Sequence, residues 1–467
     1  MRVLLVSPEV SPFSKVGGLA DVAGELPYYL ADYLKVSVLS PLYKGVWDSK
    51  KNKLEEVSKF NTPLGEGKIF KIKGKNPEFF FVYNPDFYFR DYIYATPDGD
   101  YPDNHKRFGF LCFSAVENIP LFSPDLIHIH DWQTSLIPYL LKKHKNEKIK
   151  TLLTIHNMGY QGVFPKEVIY DLDIPENDFN METFEFWGKV NFLKAGIIFS
   201  DYINAVSPQY AEEIKTERFG EGLDGVVRKY ENKLCGIIDG IDYNIWNPQK
   251  DKNIVGLTES MTLLEWKEKN KRELFKVIDA SRVDEILKVP VIGIVSRLVY
   301  QKGIDFLCKL AQNITEMGFC FVILGTGEKR YEEELILCSK KLKNFYVELK
   351  FDDPLARKIY AGSDFFIIPS RYEPCGLTQM IAQRYGTIPL ASKVGGLLNT
   401  IKEGETGFLF DLEEQSILDA VRKALAVWKD KNTRLQMIKN AMSKDFSWNA
   451  SAKAYVKLYE KIILKQN

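Results

Sequence analysis

Cysteine and histidine are scarce in this chain, six of the one and five of the other among 467 residues. The cysteines (Cys112, Cys235, Cys308, Cys320, Cys338 and Cys375) form no Cys-x-x-Cys pair, so they read as free thiols in a reducing compartment. Net charge is nearly absent too: 63 Lys and Arg against 62 Asp and Glu leave +1, and bulk electrostatics recommends neither a nucleic acid nor an anionic membrane as partner. No apolar run approaches a membrane span, and the run in "MRVLLVSPEV" is too short for a signal peptide. A cytoplasmic location is expected. What remains is ordinary for a globular protein, 45% hydrophobic and 27% charged residues, in a chain long enough for two domains.

Against this plain background one string stands out. "KVGGL" occurs at Lys15–Leu19 and again at Lys393–Leu397. Paired glycines remove Cβ atoms and let an anion approach the main chain, although glycines before a helix are also common for purely structural reasons. The first copy follows "RVLLVS", which reads as a buried parallel strand, and precedes a helical stretch. Strand, glycine-rich turn and helix in that order open a nucleotide-binding sheet. Further strands are expected at "KVSVLSP", "FFFVYN", "DLIHIHD", "KTLLTIHN" and "YINAVSP". The pattern restarts at "VPVIGIVSRL" and continues through "CFVILGTG", "FYVELKF", "DFFIIPS" and "TIPLAS", with helices between. Such alternation predicts an α/β protein of two doubly wound, Rossmann-like sheets facing a central cleft. The segment "IIDGIDYNIWNPQKD" marks the connection, giving domains 1–240 and 241–446 and a last helical stretch, 447–467, able to cross back onto the first.

Several strand ends carry chemistry. "SRLVYQKG" places Arg297 and Lys302 on the loop after a strand, where two cations beside free backbone N–H groups suit a diphosphate. In "PSRYEPCGLTQ", Gly376 opens a helix whose amides suit phosphate oxygens. Glu373, unfavourable beside phosphate, suits sugar hydroxyls or a developing positive charge. "LLTIHNMGYQG" ends a strand with His156 and Asn157. "HIHDW" puts His128 and His130 on one strand face at a spacing compatible with metal ligation, but no third ligand is apparent and Asp131 serves equally as a helix cap. Asp98-Gly99-Asp100 reads as a turn rather than a metal-binding Asp-x-Asp pair. No metal is called for.

Taken together, "KVGGLADV", "DYPDN", "HDWQ", "HNMGYQG", "FLKAGI", "AVSPQYAEEI", "FGEGLDGV", "SRLVYQKG", "PSRYEPCGLTQ" and "VGGL" resemble the bacterial glycogen synthases and plant starch synthases, retaining glucosyltransferases of the GT-B type. The resemblance implies ADP-glucose as donor, an α-1,4-glucan as acceptor and no cofactor. It casts Lys15 as the donor-binding lysine with Gly17 and Gly18 beside the phosphates, and Arg297 and Lys302 as the pair that neutralises the diphosphate. By the same resemblance His156 and Asn157 are expected beside the transferred glucose, Glu373 in contact with it, and Phe351, ending "FYVELKF", against the base. The resemblance implies that Asp21, Asp131, Gly327, Cys375, Gly376, Leu377 and Thr378 complete the substrate-binding set. Of the second glycine pair only Gly395 and Gly396 are expected to matter, through backbone approach to phosphate, with Lys393 turned to solvent. The chain departs from the family at "KVGGLLNT", where "GGLADT" is commoner, and at "IIDGID", which replaces "NGID". The second glutamate of the wider retaining group is Ile381 here. Rival readings are a phosphorylase-like enzyme, for which no pyridoxal-phosphate lysine motif is found, a non-catalytic sugar-nucleotide or glucan binder, and a transferase preferring UDP-glucose.

Overall fold

The computed structural model describes residues 1–47, 53–74, 76–146 and 148–464. The chain divides into two compact units, Met1–Gly240 joined by the terminal helix, and Ile241–Ser447. No helix among the described residues is long and apolar enough to cross a membrane.

Unit 1 is built on a nine-stranded sheet. Its strands are β1 (Arg2–Val6), β2 (Lys35–Pro41), β3 (Leu54–Thr62), β4 (Gly65–Ile72), β5 (Glu78–Tyr83), β6 (Leu126–His130), β7 (Lys150–Ile155), β8 (Tyr202–Ala205) and β9 (Leu234–Gly236). They lie in the order β9-β8-β7-β6-β1-β2-β5-β4-β3. The central strand, RVLLV, is buried from Val3 to Val6 because helices cover both faces of a parallel sheet, so alternation gives way to a continuous apolar run. The β3–β4 hairpin is antiparallel and extends one edge, a feature the strand–helix alternation of the sequence does not announce. The terminal helix, Trp448–Leu464, packs Trp448, Ala452, Tyr455, Tyr459 and Ile462 into the same core as Val3, Leu5, Val36 and Val38. Its Tyr455 hydroxyl accepts from Asn204 Nδ2 (3.0 Å), and its Ser451 hydroxyl donates to the Ile238 carbonyl (2.7 Å).

Unit 2 has six strands, all parallel: β10 (Val291–Val295), β11 (Cys320–Leu324), β12 (Phe345–Glu348), β13 (Phe365–Ile368), β14 (Ile388–Ser392) and β15 (Phe408–Phe410). Their order is β12-β11-β10-β13-β14-β15. In each unit the chain builds outward on one side of a central strand and then returns to the other. The reversal falls between β1 and β6 in unit 1 and between β10 and β13 in unit 2. Loops leaving the carboxyl ends of strands at such a reversal diverge and leave room for a ligand.

Candidate active site

In unit 2, Arg297 and Lys302 occupy the loop after β10, and Glu373 the loop after β13, on either side of the reversal. Lys302 ends a short 3-10 turn, and Gly303 then adopts φ +65° while approaching Pro369 so closely that a Cβ would lie 1.9 Å from its carbonyl oxygen. That approach seats the two loops together. Lys302 Nζ lies 2.5 Å from Glu373 Oε2, with both side chains largely buried, and the Ser370 hydroxyl donates to the same oxygen (2.9 Å). Tyr300 is clamped from behind: Arg371 stacks on its ring (3.6 Å), donates to its carbonyl (2.8 Å) and forms a bidentate pair with Asp305 (2.8 and 2.7 Å). The Arg297 side chain is exposed.

After Glu373 the chain passes buried Cys375, turns at Gly376 (φ +73°), and enters the helix Thr378–Arg384 with Leu377 at its N-cap. Gln379 locks this turn, its Nε2 donating to the carbonyls of Cys375 (3.0 Å) and Gly376 (2.8 Å). The second "KVGGL" lies directly behind. Gly396 N–H donates to the Glu373 carbonyl (3.0 Å), and a Cβ on Gly395 or Gly396 would stand 2.0 Å from the Glu373 oxygen or 2.1 Å from the Cys375 oxygen. The expected phosphate approach at Gly396 is therefore corrected: its amide is already bonded, and this glycine pair exists so that two pieces of main chain can touch. Lys393 pairs at the surface with Asp411 (2.7 Å).

One other position, Phe351, differs from the sequence reading, and Gly327 is closely packed. Gly327 sits beside Leu298, where a Cβ would meet the Leu298 carbonyl at 2.2 Å, and its N–H is taken by Glu332 (2.8 Å). It thus packs tightly under the Arg297 loop, with its amide already bonded. Phe351 does not end a strand, since β12 stops at Glu348, and its ring is 95% exposed on the following loop.

In unit 1 the first "KVGGL" follows β1. Lys15 is half exposed and its Nζ lies 2.6 Å from Asp21 Oδ1. A Cβ on Gly18 would meet nothing within 4 Å, and one on Gly17 only Glu9 Oε1 at 3.7 Å. The helix Gly18–Leu30 begins here with no side-chain cap. Glu9, which sequence reasoning missed, is 2% exposed and accepts from the amides of Val16 and Gly17. Burial raises its pKa to about 7 despite those donors.

Across the reversal, Asp131 follows β6 with φ +54°. It makes no side-chain cap to the turn Trp132–Thr134; its Oδ1 instead accepts the His156 N–H (2.7 Å) at the end of β7. Burial lifts the Asp131 carboxyl to about 7. His156 Nε2 meets His130 Nδ1 (3.0 Å), and burial lowers the His156 pKa to about 3, so its ring is neutral near pH 7. His128 uses both ring nitrogens, Nδ1 with the Tyr459 hydroxyl (2.8 Å) and Nε2 with Thr154 Oγ1 (2.7 Å), which leaves neither for a metal. Asn157 Oδ1 accepts from Gly159 N (2.9 Å), shaping the turn after His156. Asp98-Gly99-Asp100 lies in an antiparallel hairpin, Ala95–Thr96 with Gly99–Asp100. Asp239, in the variant "IIDGID", is buried with Oδ1 lacking a hydrogen-bond partner, and burial raises its pKa well above the carboxylate range.

Residues 2–229 match the model of the starch synthase catalytic domain, and residues 278–444 that of the group 1 glycosyl transferases. Glycogen synthases from Thermodesulfovibrio yellowstonii (39% identical, 99% of this chain and 98% of that one) and Thermosipho melanesiensis (41%, 100% of each) align end to end. The chain belongs to the glycogen synthase and starch synthase family. It is a glucosyltransferase with the GT-B fold. The catalytic domain of starch synthase IV from Arabidopsis thaliana, solved with ADP and acarbose, superposes with a TM-score of 0.86 at 30% identity over 99% of both chains. The sucrose-phosphate synthase of Thermosynechococcus elongatus shares the fold alone (TM-score 0.60, 18% identity, 99% of both chains).

Proposed function

We propose that this enzyme transfers glucose from ADP-glucose to the non-reducing 4-hydroxyl of an α-1,4-glucan with retention of configuration, releasing ADP. The observation that carries this reading is the Lys302–Glu373 contact of 2.5 Å at the unit 2 reversal. It sets a cation for a leaving phosphate beside a carboxylate for a sugar. Cleaving the glucose–phosphate bond leaves positive charge at the anomeric carbon and negative charge on ADP. Arg297 and Lys302 stabilise the departing diphosphate, while Glu373 stabilises the sugar. The acceptor oxygen bonds to the anomeric carbon on the face that ADP leaves, and its proton passes to the departing phosphate.

Lys15 binds the donor diphosphate, and the open space around Gly17 and Gly18 admits it. Asp21 holds the Lys15 ammonium, and Asp131 holds the main chain at His156. The neutral His156 ring and Asn157 hydrogen-bond sugar hydroxyls without adding charge. Gly376, Leu377 and Thr378 present the loop and helix start to the donor, while Cys375 and Gly327 shape its wall. A ring as exposed as Phe351 suits stacking on the adenine. The ADP and acarbose named for the Arabidopsis enzyme fit this donor and acceptor. All six cysteines are free, in keeping with a cytoplasmic protein. The test is incubation with ADP-glucose and glycogen, then with UDP-glucose and glycogen, following nucleotide release and chain growth. ADP release with chain growth is expected. Neither donor turning over would reduce the protein to a binder, and faster UDP release would reverse the donor.

A further inference from the structure

We propose that Glu9 is a positioning residue for donor use, its buried carboxyl holding the first glycine loop so that Lys15 points outward from a fixed main chain. The inference rests on the donor-binding reading of Lys15. Glu9 leaves β1 through a segment whose own main chain is fixed from several sides. The Ser7 hydroxyl donates to the Glu9 carbonyl (2.6 Å), the Tyr43 hydroxyl to the Pro8 carbonyl (2.8 Å), and Val10 N–H to the Ser14 hydroxyl (3.0 Å). Ser11 N–H donates to the Ala20 carbonyl (2.9 Å), and Gly24 lets the helix approach so closely that a Cβ there would lie 2.3 Å from the Ser11 oxygen. From this rigid base the Glu9 side chain returns beneath the loop. One oxygen, Oε2, accepts both the Val16 and Gly17 amides, and the Tyr94 side chain also hydrogen-bonds the carboxyl.

Three consequences follow from that geometry. Val16 and Gly17 N–H are consumed, so an anion approaching this loop would meet the Lys15 ammonium, which Asp21 holds, rather than those two amides. The loop would otherwise carry two adjacent unpaired amides and a glycine with no side chain to order it. Burial also keeps Glu9 partly protonated near neutrality, which limits the negative charge beneath a loop that receives a diphosphate. Either protonation state leaves an oxygen able to accept both amides, so the hold depends on reach and shape more than on charge.

The experiment is a set of donor-saturation curves at fixed, saturating glycogen for the full chain carrying Glu9→Ala, Glu9→Gln, Glu9→Asp, Lys15→Ala, and Glu9→Ala with Lys15→Ala. Glu9→Ala is expected to raise the donor KM about tenfold, the scale of one good uncharged hydrogen bond. Glu9→Gln, which keeps the reach, should restore most of that, while Glu9→Asp, one methylene short, should not. The double variant should lose little beyond Lys15→Ala, because Glu9 acts through the lysine loop. Unchanged donor KM in Glu9→Ala, or losses that multiply in the double variant, would overturn the proposal. Should Glu9→Ala not fold, the Asp and Gln variants decide alone, and equal donor KM values for the two would overturn it. A silent Lys15→Ala would instead refute the donor reading of the lysine itself, a separate failure.

Discussion

The two copies of "KVGGL" are the same five residues doing opposite work. In the first, the missing Cβ atoms face space: a side chain on Gly18 would touch nothing within 4 Å. In the second they face protein, with the Glu373 and Cys375 carbonyl oxygens at 2.0 and 2.1 Å from where Cβ atoms would stand. The first copy is held from below by a side chain, Glu9, and shows its lysine. The second is itself the support, its Gly396 amide bonded to the Glu373 carbonyl. A glycine pair thus has two physical uses, to leave space open beside the main chain or to let backbones touch. Only the neighbours reveal which.

The sharpest way to break this contrast is Gly396→Val. A branched side chain cannot enter the 2.1 Å gap to Cys375, so it should displace the loop carrying Glu373 and cost about 3 kcal/mol or more of stability. Thermal unfolding together with turnover would check this, and a stable, active variant would remove the supporting role. Next in size is Lys302→Ala, expected to lower kcat/KM by about 3 kcal/mol, near a hundredfold, through loss of a charge on the leaving phosphate. Because that change also leaves Glu373 buried without its cation, Lys302→Arg serves as the control, and its recovery of activity would show that charge is what counts.

Gly18→Ala should be milder and opposite in kind to Gly396→Val. Unfolding should stay within about 0.5 kcal/mol of the parent, since the methyl enters open space at a helix start, while the donor KM rises. A large loss of stability would show that the first glycine pair is also a packing device.

The smallest effect is one of pH. Glu9 titrates at about 7 in the fold against 4.5 for its ordinary value, so between these limits the folded state binds the extra proton. Its contribution therefore favours folding at low pH and is lost as pH rises through 7. Denaturant unfolding of Glu9→Gln and the parent at pH 5 and pH 8 should show the variant gaining relative stability at the higher pH. A constant difference would mean that Glu9 is not titrating in that range.

Much of the fold is legible in the sequence because buried parallel strands leave an unmistakable mark. "VLLV" within the first strand and "FFII" within "DFFIIPS" are apolar and buried throughout, and the Arg297–Lys302 and Glu373 strings lie just after the buried runs of β10 and β13. The β3–β4 hairpin escapes such a reading because an edge pair needs no crossover helix and leaves one face to solvent, so its pattern is broken and polar. Asp131 reads as a cap, but its positive φ turns the carboxylate across to β7 instead. Glu9 leaves no signal at all. A carboxylate that returns to amides seven and eight residues later has no periodicity, and nothing in "SPEV" marks it as buried. The end of β12 is also unmarked, since "ELKF" continues the strand's alternation past the point where pairing stops at Glu348.

The most direct test of the contrast between the two copies is kcat/KM for ADP-glucose at saturating glycogen in Lys15→Ala and Lys393→Ala. The lysine of the first loop should cost about tenfold or more, about 1.4 kcal/mol. The lysine of the second, an exposed ion pair with Asp411, should be close to silent. Equal losses in the two variants would contradict the account.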